Sequence, residues 1–97
     1  MKKIDNISKI LKIISSPVKI RILNLLVDKK LSLQDIHSVI FKEFKIKYPQ
    51  TTYNYIEDLV EIKLVKKSYD QQDKLLKYSL INKKLIINFE NMELDMK

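Results

Sequence analysis

The sequence predicts a mainly α chain carrying a small β-hairpin, an α+β domain occupying residues 1–97. Three observations carry that expectation. Apolar side chains recur every three or four positions as far as residue 62, the period of helices with one buried face. Strand-like residues then run from 64 to 81, divided by the polar turn Asp70-Gln71-Gln72-Asp73. At 97 residues the chain has room for one core, near the size at which a small fold often gains from a partner.

Each element has its own signal. Ile4, Ile7, Leu11 and Ile14 are spaced three and four apart, and Ile10 and Ile13 widen the stripe, so residues 4–15 predict an amphipathic helix with Lys9 and Lys12 on its polar side. Ser15-Ser16-Pro17 breaks it. Ser16 suits an N-cap and Pro17 a first helical position, which starts a second helix running to about Asp28. Leu31 is placed to pair briefly with the hairpin as a third strand. Ser32 and Asp35 have the spacing of a capping box, opening a third helix that ends near Phe44 or Lys45.

After the linker Lys45-Ile46-Lys47-Tyr48, Pro49 opens a fourth helix. At about 100° per residue, Thr52, Ile56, Leu59, Val60 and Lys63 share one side and are expected to pack inward. Gln50, Thr51, Asn54, Glu57, Asp58 and Glu61 then face outward, flanked by Tyr53 and Tyr55. Two strands follow, around Leu64–Tyr69 and Leu75–Leu80. Beyond Asn82, Leu85, Phe89, Met92 and Met96 stand four, three and four apart, which predicts a fifth helix with a heptad-like seam. The resulting order, α1-α2-α3-α4-β-β-α5, is that of a winged helix-turn-helix, whose recognition helix enters the major groove of DNA.

Composition narrows the function. The chain has no cysteine, so disulfides, thiol nucleophiles and thiolate metal sites are out of reach. No apolar run approaches the roughly 20 residues of a membrane span. Lys2-Lys3 is followed by apolar residues interrupted by Asp5, Asn6, Lys9 and Lys12, so no signal-peptide core is present, and a cytoplasmic, nucleoid-associated protein is expected. Net charge is +7, and its distribution is uneven: residues 1–30 hold eight basic and two acidic side chains, whereas residues 78–97 hold three of each. Glycine and alanine are absent and Arg21 is the sole arginine, the mark of an AT-rich coding bias. Without glycine, Asn, Asp and Lys must take the positions of unusual backbone angle.

Two segments resemble a known family. Ser16-Pro17-Val18-Lys19-Ile20-Arg21-Ile22-Leu23-Asn24-Leu25-Leu26 is similar to the second helix of ArsR-type winged-helix repressors. The run from Thr51 to Val65 is similar to their recognition helix and its passage into the wing. The resemblance covers about residues 5–81 and extends to archaeal and archaeal-virus regulators. It implies the winged-helix fold and DNA binding. Two departures stand out: Lys63 occupies the place of a common glycine, and Leu33-Gln34-Asp35-Ile36-His37-Ser38-Val39 lacks the family's cysteine metal box. Metal sensing is therefore not implied.

The candidate reading head is Gln50, Thr51, Tyr53, Asn54 and Glu57. Gln and Asn bond adenine in two places, Thr reaches phosphate or a thymine methyl, Tyr donates to phosphate and Glu accepts from cytosine. Read plainly, they are polar residues solvated at a helix start. Glu57, Asp58 and Glu61 would repel phosphate and are read as a solvated face. Lys66, Lys67, Lys74 and Lys77 on the hairpin, with Lys47 in the linker, are candidate backbone contacts, or solubilising edge residues. His37 is expected to serve packing or a local hydrogen bond. Ile4, Ile7, Leu11 and Ile14, with Leu85, Phe89, Met92 and Met96, are the expected homodimer interface, unless the first helix packs across its own domain. With one histidine and no glycine-rich loop, no catalytic pair can be named; no enzyme, cofactor or metal is expected. The expected function is a sequence-specific regulator of double-stranded DNA, a repressor acting as a dimer. The rivals are an architectural protein with little sequence preference and a winged-helix module turned to protein contacts.

Overall fold

The computed structural model describes residues 2–97. It is an α+β arrangement of four helices and two small antiparallel sheets, with one short strand between the second and third helices and the other four strands after the last helix. Helix α1 spans Lys2–Ile14, α2 Pro17–Leu25, α3 Leu33–Phe44 and α4 Pro49–Glu61. Ser16 caps α2 by accepting from the Lys19 amide, and Pro17 takes the first turn. Ser32 and Asp35 form the full capping box of α3, each side chain bonding the other's backbone amide. Helix α2 stops at Leu25, three residues short of the expected end, where the chain turns toward the sheet.

The first sheet joins β1 (Leu31–Ser32), β2 (Val65–Asp70) and β3 (Leu75–Leu80) in the order β1-β3-β2. Leu31 lies opposite Tyr78, as its position suggested, and Lys67 lies opposite Tyr78 from the other side. Period-two alternation sorts the strands: Val65 and Tyr78 are buried on the helix side, while Lys66 and Ser79 face away. Ile22, Ile36, Ile40, Ile56 and Leu59 are fully buried between α2, α3 and α4, and Val65 and Tyr78 close that core from the sheet.

Where a fifth helix was expected, the chain instead forms a second hairpin, β4 (Leu85–Asn88) with β5 (Glu93–Met96). The four-three-four seam is therefore no stripe. Leu85 and Met96 lie directly opposite each other, Met92 sits in the turn, and Phe89 stands 75 % exposed beside it. The physical reason is a competing period. Leu85 and Ile87 alternate with exposed Ile86 and Asn88, and Leu94 and Met96 alternate with Glu93 and Asp95. Asn88 ends the first strand by accepting from the amides of Glu90 and Asn91 at 2.9 and 3.4 Å. Leu85, Leu94 and Met96 pack against the helical core, and Lys3 of α1 pairs with Glu93 at 3.6 Å.

Candidate nucleic-acid interface

Helix α4 is positioned by its inner side. Thr52, Ile56 and Leu59 are fully buried, and the Thr52 Oγ1 lies 2.7 Å from His37 Nδ1 on α3. That bond gives His37 its partner and ties the two helices together. Lys63, expected on the same inner side, is exposed, because it lies past the helix end with φ 64°. Its amide bonds the Val60 carbonyl at 3.0 Å and that of Leu64 bonds Leu59 at 3.1 Å, a Schellman closure with a lysine in the left-handed position.

The outer side carries the expected polar set. Gln50 and Asn54 are exposed, one helical turn apart, and Gln50 Nε2 donates to Asn54 Oδ1 at 3.0 Å. Thr51 and Tyr53 are half-buried beside them. Helices α2 and α3 begin with serine caps, but Tyr48 at the start of α4 makes no side-chain cap bond and Pro49 has no amide to offer. The Thr51 amide bonds the Tyr48 carbonyl at 3.0 Å, but the positive end of the α4 dipole meets solvent without a side-chain acceptor, the arrangement that receives phosphate.

Of the three carboxylates of α4, Glu61 is exposed and Glu57 and Asp58 are half-buried at the surface, and each has a lysine beside it. Glu57 accepts from Lys67 at 3.2 Å, Asp58 from Lys19 at 3.0 Å, and Glu61 lies 3.7 Å from Lys9. Each acid has a lysine from another element within 4 Å, which lessens the local field that would repel phosphate, while Asp58 and Glu61 keep 48 % and 65 % of their side chains exposed. Lys19 also lies 5.9 Å over the Tyr55 ring and its side chain is only 12 % exposed. Tyr55 is thus half-buried beneath Lys19. These pairings join helices and strands far apart in sequence, so no local spacing announces them.

The hairpin lysines divide likewise. Lys67 faces α4 and holds Glu57; Lys66, one residue earlier, lies on the opposite side of the sheet. Lys77 is held by Asp70 at 3.1 Å and by a closer contact to Asp73, with 17 % of its side chain exposed. In that turn Asp70 accepts from the amides of Asp73 and Gln72, and these bonds with Lys77 hold its carboxyl below the usual 3.8. Asp73 and then Asp70 hold Lys77 charged above the usual 10.5. Burial, with Glu57 nearby, pushes the Tyr78 phenol above its ordinary value. Lys77 and Lys67 are thus each engaged by a carboxylate of the chain itself. Lys74, with φ 56° at the turn, and Lys47, just before α4, are exposed and make no ion pair among the described residues.

The structure thus brings Gln50, Thr51, Tyr53 and Asn54 to the N-terminal end of α4, leaves Glu57 further along the helix against Lys67, and sets Lys74 on the hairpin that follows. Of the expected dimer residues, Ile7 is buried beneath the second hairpin and Ile14, Leu85, Met92 and Met96 are half-buried, leaving Ile4, Leu11 and Phe89 exposed. Among the described residues no group of three metal-binding side chains occurs and no helix is long and apolar enough to cross a membrane. Comparison with protein-family models, with curated proteins and with solved structures finds no match for this chain.

Proposed function

We propose that the chain is a winged helix-turn-helix reader of double-stranded DNA, a transcriptional regulator that represses by occluding its site as a homodimer. Helix α4 would enter the major groove with Gln50, Thr51 and Asn54 toward base edges. The β2–β3 hairpin would act as the wing, with Lys74 and Lys47 on the phosphates that flank the groove. One observation carries this reading: α4 presents an N-terminus without a side-chain cap and an outward amide pair, while each carboxylate behind them has a lysine of another element within 4 Å. An ArsR-like ancestry accords with the order of the helices and the hairpin, without metal sensing.

Selection from random duplexes at near-physiological salt tests the proposal. A recurrent motif with two-fold symmetry is the expected result. Flat enrichment across all sequences would assign the chain instead to architectural binding, and failure to retain any duplex would reject DNA as the partner.

A further inference from the structure

A second basic surface lies away from α4, and nothing in the DNA-binding reading uses it. The turn after α2, the end of β3 and the start of the β4–β5 hairpin converge on a cleft of about 800 Å³. Lys29 and Lys30 line it from the first, and Lys83, Lys84 and Lys97 from the last; Asp28 is the only acidic residue in its wall. None of these five makes an ion pair among the described residues, unlike Lys9, Lys19, Lys67 and Lys77, so all five charges are available to a ligand.

Two further features point to a missing anion. Lys84 and Lys97 exchange both backbone hydrogen bonds, at 2.7 and 2.8 Å, which fixes two like charges directly opposite each other at the open end of a hairpin. Such a pair opposes folding unless a counter-charge sits between them. The Ser79 Oγ, in the wall of the same cleft, is buried and has no hydrogen-bond partner. A buried hydroxyl without a partner is uncommon and calls for an explanation. The cleft is not polar throughout: Leu26 and Leu80 contribute to its lining, and Ile81 and Ile86 stand 43 % and 42 % exposed within it. Inorganic phosphate would satisfy the lysines and leave those isoleucines bare.

We propose that this cleft binds a small phosphorylated organic anion of the nucleotide class. Its phosphates lie among Lys83, Lys84 and Lys97 with Lys29 and Lys30 opposite, and its ring covers Ile81 and Ile86. Ser79 donates to a ligand oxygen. The volume is that of small-molecule sites, which are concave, partly apolar and furnished with a few convergent polar groups. Lysine suits this role as a point charge for phosphate. The assignment does not depend on α4 reading DNA.

Titration calorimetry on the full chain, with adenosine triphosphate, inorganic triphosphate and adenosine as probes at near-physiological salt, tests it. Adenosine triphosphate should bind, triphosphate more weakly, and adenosine not measurably. Lys84→Ala and Lys97→Ala should each weaken the nucleotide roughly tenfold, the scale of one lost charge-assisted hydrogen bond. Lys12→Ala, an exposed lysine outside the cleft, should leave binding unchanged. Ser79→Ala should lower affinity while its thermal midpoint holds or rises, because the substitution also removes an unsatisfied polar group; a purely structural serine would not lower affinity. Absence of nucleotide binding overturns the proposal. So does equal affinity for triphosphate and nucleotide with equal sensitivity to Lys12→Ala, the signature of diffuse counterion binding. A short single-stranded oligonucleotide that displaces the nucleotide through the same lysines with higher affinity would make the cleft a nucleic-acid track and overturn it as well.

Discussion

In the proposed reading, individual side chains at the α4 end divide into those that would read bases and those that would grip phosphate. Gln50 and Asn54 project from a helix whose opposite side is locked by Thr52, Ile56 and Leu59, so their outward direction is fixed by packing. Their mutual bond at 3.0 Å also holds the two amides as one unit. Asn54→Ala and Gln50→Ala should each cost roughly 1–3 kcal/mol on the preferred duplex and little on others. Because the two share a bond, the double variant should lose less than the sum of the single ones. Lys74→Ala and Lys47→Ala should instead weaken all duplexes alike and reduce the slope of log affinity against log salt by about one per lost contact. Binding assays on the selected site and an unrelated duplex, at several salt concentrations, separate the two patterns. If Asn54→Ala binds every sequence as the parent does, α4 is not the reading element. The outward set was legible from helical period alone. The engagement of Lys67 and Lys77 was not, because it depends on strand register and on a turn whose closure only the folded chain shows.

At the scale of elements, the absence of glycine leaves a consistent mark. The left-handed positions fall on Lys45, Lys63, Lys74 and Met92, while Asn and Asp serve as turn acceptors instead. The two hairpins solve the problem in the same way. Asp70 accepts from residues two and three ahead, with Lys74 left-handed; Asn88 does the same, with Met92 left-handed. That shared pattern was the available signal for the second hairpin. It was masked because Leu85, Phe89, Met92 and Met96 also satisfy a helical spacing, and short apolar segments fit either period. The caps at Ser16 and Ser32, and the pairing of Leu31, were legible because each depends on residues a few positions apart. Lys63 yields a direct test. A left-handed backbone costs a side-chain-bearing residue roughly 1–2 kcal/mol, and glycine's freer unfolded chain returns about half of that. Lys63→Gly should therefore stabilise the fold by about 0.5–1 kcal/mol and raise the thermal midpoint by a few degrees. Lys63→Val should lower it. Calorimetry showing no gain for glycine would mean that Lys63 makes compensating contacts.

For the whole molecule, size sets the terms of recognition. The chain measures 43 × 30 × 19 Å and presents one α4. Successive major-groove faces on one side of a duplex are about 34 Å apart, so reading two of them requires a second copy related by a two-fold axis. The surface available for that contact is smaller than the sequence implied, because the second hairpin covers Ile7 and the seam expected of a fifth helix does not form. What remains is Ile4 and Leu11, seven residues apart on the outer side of α1, at 38 % and 41 % exposure, and Phe89 at the hairpin turn. In the proposed homodimer these three side chains would be buried against the second copy. Sedimentation equilibrium at tens of micromolar protein should give twice the chain mass, and Leu11→Asp or Phe89→Asp should shift it to the monomer without unfolding α4. The same variants should then select a single half-site where the parent selects a two-fold motif, with weaker binding and a shallower salt dependence, since half of the phosphate contacts are gone. A parent chain that sediments as a monomer yet selects a symmetric motif would place dimer formation on the DNA; one that selects an asymmetric half-site would remove the dimer from the mechanism.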